Sequence, residues 1–181
     1  MPRFGVVVVS VVAIMALAAC GPSTPAPTPT GDPSATSGAS TSPSTDGGAT
    51  TALDAYRGMW KAYIEALRIP DPAYPDLFRY AQGNALEVFV NGLTSAKNQG
   101  LVGEGDVVLN PHEVEVQPVS TPGSVGIEDC VDTSQSHLVK RDGSPYEDTP
   151  GGKRFARATA VQVEDGTWKV SEFGLFAVGS C

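Results

Sequence analysis

Hydrophobic and polar positions divide the chain into three patterns. From Phe4 to Ala19 the residues are almost continuously apolar, over about 16 positions rich in Val and Ala. From Gly21 to Thr50 every residue is Ser, Thr, Pro, Gly, Ala or Asp. Beyond Thr51 the apolar positions become periodic. Leu53, Tyr56, Trp60, Tyr63, Ile64 and Leu67 fall three and four apart, which predicts an amphipathic helix over 52–67. Pro70, Pro72 and Pro75 stop it. A short helical turn is expected within Asp71–Tyr80, with Asp76 as a candidate cap. Leu86, Phe89, Val90 and Leu93 then predict a second long helix over 83–97, closed by Asn98 and Gly100.

After Gly105 the period becomes two. Val114 and Val116 alternate with Glu113, Glu115 and Gln117, the pattern of a half-buried strand. Further strands are predicted over 125–131, over 138–140 before the Asp142-Gly143 turn, over 155–163 and over 168–178. Asp165-Gly166 is a hairpin signal between the last two. In the strand over 155–163, Phe155, Arg157, Thr159, Val161 and Val163 share one face. Ala156, Ala158 and Ala160 share the other, where only methyl groups stand in the way of a packed helix. Helices followed by an antiparallel meander imply an α+β fold, with helices on one face of a curved sheet.

The first pattern ends in Leu17-Ala18-Ala19-Cys20. With Arg3 before the apolar run and small residues at its end, it resembles the lipobox of bacterial lipoproteins. The run is shorter than the roughly 20 residues that span a bilayer as a helix. The resemblance implies cleavage before Cys20, lipidation of its sulfur with palmitate-type acyl chains, and residence on the extracytoplasmic face of the cell membrane. The alternative is an ordinary secretory signal with an incidental cysteine. Two acyl chains hold where one is marginal, at about 0.8 kcal/mol per buried CH₂. The second pattern lacks side chains that could offset the entropy of ordering, so it reads as a disordered tether. Its coil span is about 30 Å. It is a spacer in this reading, although Ser/Thr/Pro tracts also accept O-linked sugars. The expected organisation is a signal peptide over 1–19, lipidated Cys20 and tether over 20–50, and one folded domain over 51–181.

Charge narrows the partners. The formal net charge is −8, and becomes −9 once Arg3 is removed. An acidic domain without a basic patch argues against nucleic acid. Beyond Cys20 the chain has two cysteines, Cys130 and Cys181. In an oxidising compartment they have one pairing available, which would tie the last residue to the middle of the sheet. Two free thiols or one reactive thiol are the alternatives; neither cysteine has a CxxC partner.

Several features together resemble the NTF2-like superfamily, shared with ketosteroid isomerase and SnoaL-like proteins. They are the helix around Tyr56 and Trp60, Tyr80-Ala81 leading into the second long helix, the segment from Glu128 through Cys130, Asp132 and Ser134, the long strand from Arg154, and the ending from Gly166-Thr167-Trp168 to Cys181. More narrowly, they resemble the NTF2-like lipoproteins of high-GC Gram-positive bacteria. The resemblance spans 51–181. It implies a bent sheet wrapping a cone, with a pocket between sheet and helices, and it does not imply catalysis.

Candidate pocket residues are Trp60, Tyr63, Tyr80, Asp132 and Arg157. The aromatics would give apolar walls, although such spacing also suits plain core. Asp132 or Asp129 would be the base in an isomerase-like enzyme; otherwise Asp132 serves the turn after its strand. Arg157 would bind a ligand carboxylate, pair with Asp132 or Glu128, or face solvent. His112 and His137 are the two histidines and lack metal-ligand spacing. No phosphate loop or nucleophile elbow occurs in the required context. The residues therefore assign no catalytic group, cofactor or metal. The expected function is non-catalytic binding of a small hydrophobic ligand or a cell-envelope protein partner by a lipid-anchored domain. The alternatives are a SnoaL-like or ketosteroid-isomerase-like enzyme and a homodimer through the open face of the sheet.

Overall fold

A computed structural model describes residues 50–115 and 123–181. The signal, lipidation site and tether, and the strand position Val116, lie outside the described residues.

Helix α1 (Ala52–Arg68) starts where Thr51 Oγ1 accepts the Asp54 N–H at 3.1 Å, and carries Asp54 in its first turn and Arg68 in its last. Its apolar stripe buries Ala55, Tyr56, Met59, Trp60, Ala62 and Ala66. Helix α2 (Pro75–Tyr80) differs from expectation at its start. Asp76 sits inside the first turn, ion-paired to Arg79 at 3.5 Å, and is not the cap; Pro75 at the first helical positions fixes the entry instead. Helix α3 (Gly83–Asn98) buries Ala85, Phe89, Leu93 and Ala96.

The strands are β1 (Leu101–Glu104), β2 (His112–Val114), β3 (Ser124–Asp132), β4 (His137–Lys140), β5 (Lys153–Gln162) and β6 (Trp168–Val178). They do not form one meander. An antiparallel sheet runs β2-β3-β5-β6, and β1 and β4 form a separate two-stranded ribbon. The tight Asp132–Ser136 turn sends β4 off the sheet, where it pairs Leu101 with Lys140 and Glu104 with His137. Strand β6 is irregular twice. Val170 to Glu172 faces one step of β5, and Leu175 to Val178 faces two, so extra β6 residues bend the sheet at both places.

Helix α1 lies against β5 and β6, and α3 against β6. Ala156, Ala158 and Ala160 are buried beneath them, as their shared face implies. Small side chains let the helix backbone come close. Met59, Leu93, Ile127, Val131 and Val170 have no exposed surface, and burying each large apolar side chain contributes about 1.5–3 kcal/mol. The result is an α+β fold, with helices packed on a curved antiparallel sheet.

The C-terminus is tied down. Cys130 and Cys181 form a disulfide. Beside it the Gly179 N–H donates to Lys153 O at 2.7 Å and the Phe155 N–H to Ser180 Oγ at 2.7 Å.

Candidate functional site

An aromatic cluster fills the space between helices and sheet. Trp60 meets Phe89 and Phe173 edge-on, with centroids 5.5 and 5.7 Å apart, and Tyr63 lies 4.7 Å from Phe89. Phe155 is not in this cluster. Strand parity turns it to the outer face, where its ring lies 5.4 Å from Phe176.

The filling stops at the start of β5. There a cleft of about 260 Å³ opens between α1, the β1–β4 ribbon and the adjoining ends of β5 and β6. Trp60, Tyr63, Ile64 and Leu67 of α1 form one wall. Leu138 and His137 of β4 face it, and Arg154, Leu175 and Val178 come from the sheet. Gly103, on the ribbon, meets Leu67 so closely that a Cβ there would lie 2.8 Å from its side chain. An adjoining hollow of similar size is lined by Arg57, Lys61, Glu65 and Leu109 and shares Trp60, Ile64 and Val107 with the first.

Of the residues singled out from sequence, Trp60 and Tyr63 line the cleft. Tyr80 does not: its ring covers Gly58 of α1, where a Cβ would sit 2.7 Å away. Asp132 also lies outside. Its Oδ1 accepts the Ser134 N–H at 2.9 Å, and this turn bond holds its carboxyl below the usual range. Arg157 stands on the outer face, bonded to Glu128 Oε1 through Nη2 at 2.8 Å and Nε at 3.2 Å. The inward-facing arginine is Arg154. It is opposite Val131, which is buried on the helix side. Its Nε donates to Phe176 O at 2.7 Å, and among the described residues its guanidinium has no carboxylate partner. The parity that carries Ala156 inward carries Arg154 inward too, and that signal was present in the sequence.

Behind the clefts lies a second polar feature. Asp129 is 1 % exposed, with Oδ1 accepting the Asn110 N–H at 2.8 Å. Its Oδ2, the Tyr56 hydroxyl and Trp60 Nε1 are all buried without a well-formed hydrogen bond among the described residues. Burial raises the Asp129 carboxyl, against the Asn110 N–H, the Tyr56 hydroxyl and the Arg57 charge. Burial, reinforced by the Asp129 charge, raises the Tyr56 hydroxyl so far that it stays a neutral donor. This arrangement pairs a carboxyl with a phenol, but Asp129 lines neither cleft. Asp129 is thus buried away from both hollows.

No protein-family profile and no curated protein matches the chain. Its likeness is to solved structures. The intermembrane-space region of the chloroplast protein ARC6 superposes with a TM-score of 0.51 at 17 % identity, covering 75 % of this chain and 99 % of that one. A designed protein of the Rd1NTF2_05 series superposes at 0.37 and 10 % identity, covering 68 % and 97 %. The ARC6 likeness is one of fold alone. No helix among the described residues is long and apolar enough to cross a membrane.

Proposed function

We propose that this protein is a lipid-anchored, extracytoplasmic lipoprotein whose NTF2-like domain binds a small amphipathic ligand without transforming it. The anchor rests on the run Leu17-Ala18-Ala19-Cys20 and the polar tract that follows. The ligand reading rests on one observation. The aromatic cluster fills the middle of the domain but leaves a cleft of about 260 Å³ with apolar walls and a few polar groups at its edges. Ligand pockets are commonly ~300–1,000 Å³, so the occupant is smaller than drug-sized. Catalysis is set aside because Asp129 is sealed from both hollows and Asp132 is committed to a turn.

Two experiments test the two halves. Cys20→Ala should abolish incorporation of labelled palmitate and release the protein from the membrane fraction; unchanged labelling and retention would refute the anchor. Leu138→Trp, which fills the cleft from the ribbon side, should abolish calorimetric binding of decanol. Binding equal to wild type would place the ligand elsewhere.

A further inference from the structure

We infer that the ligand carries a carboxylate and that Arg154 binds it; this rests on the cleft being the ligand site. Arg154 is set apart by its phase. β5 otherwise presents Ala156, Ala158 and Ala160 inward, and its neighbours in the cleft are Leu175 and Val178. Arg154 is half-buried as a residue, and its head group sits at the cleft mouth beside Leu175 and an exposed Val178, where an incoming anion can reach it. Its Nε is already committed to Phe176 O, which fixes the plane of the group. The two Nη groups remain, in the fork geometry that matches a carboxylate bidentately.

The other charged groups of the cleft do not answer Arg154. Asp148 Oδ2 accepts the Leu138 N–H at 2.8 Å, so it is committed to the ribbon side. Glu104 is exposed and lies across the β1–β4 ladder from His137. None of these groups forms an ion pair with Arg154 among the described residues. Two acids on the ribbon side and one guanidinium on the sheet side favour a head group with a single negative charge, held against β5, over a doubly charged phosphate. The tail would then run along Trp60, Ile64 and Leu138.

The test compares decanoate with decanol, which share the tail and differ in the head, on the full chain carrying Cys20→Ser. Wild-type Arg154 should bind decanoate about tenfold more tightly than decanol, the worth of a charge-assisted pair. Arg154→Gln should bind both equally, and Arg154→Lys should keep part of the preference. Arg157→Gln, on the outer face, should keep all of it. Equal binding of the two probes by wild type, or a full preference in Arg154→Gln, would overturn the inference while leaving the cleft reading intact. Failure of wild type to bind either probe would overturn both.

Discussion

Arg154 and Arg157 stand three residues apart on one strand and face opposite sides of the sheet. Arg157 is outward, its side chain 64 % exposed, paired with a Glu128 that is 25 % exposed. Its guanidinium also lies 5.6 Å from the Phe155 ring centroid. Exposed pairs of this kind are worth about 0–1 kcal/mol and weaken with salt. Arg157→Ala should therefore cost about 1 kcal/mol or less in urea unfolding, with a smaller cost at high salt. A loss above about 2 kcal/mol would mean the pair is desolvated, at odds with its place on the outer face.

Asp129 should make stability depend on pH in an unusual direction. Its carboxyl is raised in the folded state, so the folded protein holds a proton that the unfolded chain releases. Its contribution worsens as pH rises from the ordinary carboxylate range through the raised value, and recovers as pH falls. Asp129→Asn should match or exceed wild-type stability at neutral pH, and the difference should shrink on acidification. Asp132, Asp142 and Asp165 are lowered and lose stabilisation as pH falls, but equally in both proteins. Asp129→Leu, in contrast, leaves the Asn110 N–H without its acceptor and should cost about 1–3 kcal/mol. Unfolding curves across pH would show a parallel offset if Asp129 were ordinary.

The disulfide closes a separation of 51 residues. In the chain-entropy account such a loop is worth roughly 4 kcal/mol. Cys130→Ser with Cys181→Ser should lower stability by about that amount, and reductant should lower wild type equally. No response to reductant would show that the bond does not form in the folded protein.

Two glycines separate backbone strain from crowding. Gly105 and Gly143 both have left-handed φ, +78° and +75°. A Cβ at Gly143 meets nothing within 4 Å, whereas one at Gly105 would collide with the Gln135 carbonyl. Gly143→Ala should cost about 1–2 kcal/mol from φ alone. Gly105→Ala should cost more by about 1–3 kcal/mol and disturb the cleft it lines. Equal costs would mean the Gln135 turn yields freely.

Much of the fold was legible because its signals are local. The stripe from Tyr56 to Leu67 and the alternation through Ala156, Ala158 and Ala160 each fix a face without knowledge of the partner. Of the ribbon, the strand over 138–140 was legible, but its partner and its place off the sheet were not. Leu101-Val102-Gly103-Glu104 is too short and too poor in β-branched residues to announce a strand, and its pairing with His137–Lys140 is set by packing on α1 and α3. The site suffered in the same way. Arg157 is marked out as a charge inside the predicted strand over 155–163, whereas Arg154 falls one residue before that range and joins the strand only because β5 starts at Lys153. Tyr80 and Trp60 look alike in sequence, and only the close approach of Tyr80 to Gly58 takes it out of the cleft.

The ribbon gives the cleft unequal jaws. One is fastened into the hydrogen-bond ladder of four strands; the other is a two-stranded ribbon resting on helices, its strands paired to each other and with no ladder bonds to the sheet among the described residues. Leu101 is 1 % exposed and Gly103 packs against Leu67, so side-chain packing on the helices holds this jaw, and a longer or bulkier tail would cost packing without breaking the ladder of the sheet. Tail shape would then be read by side-chain packing, and the head group by the laddered jaw, where Arg154 is oriented by its bond to Phe176.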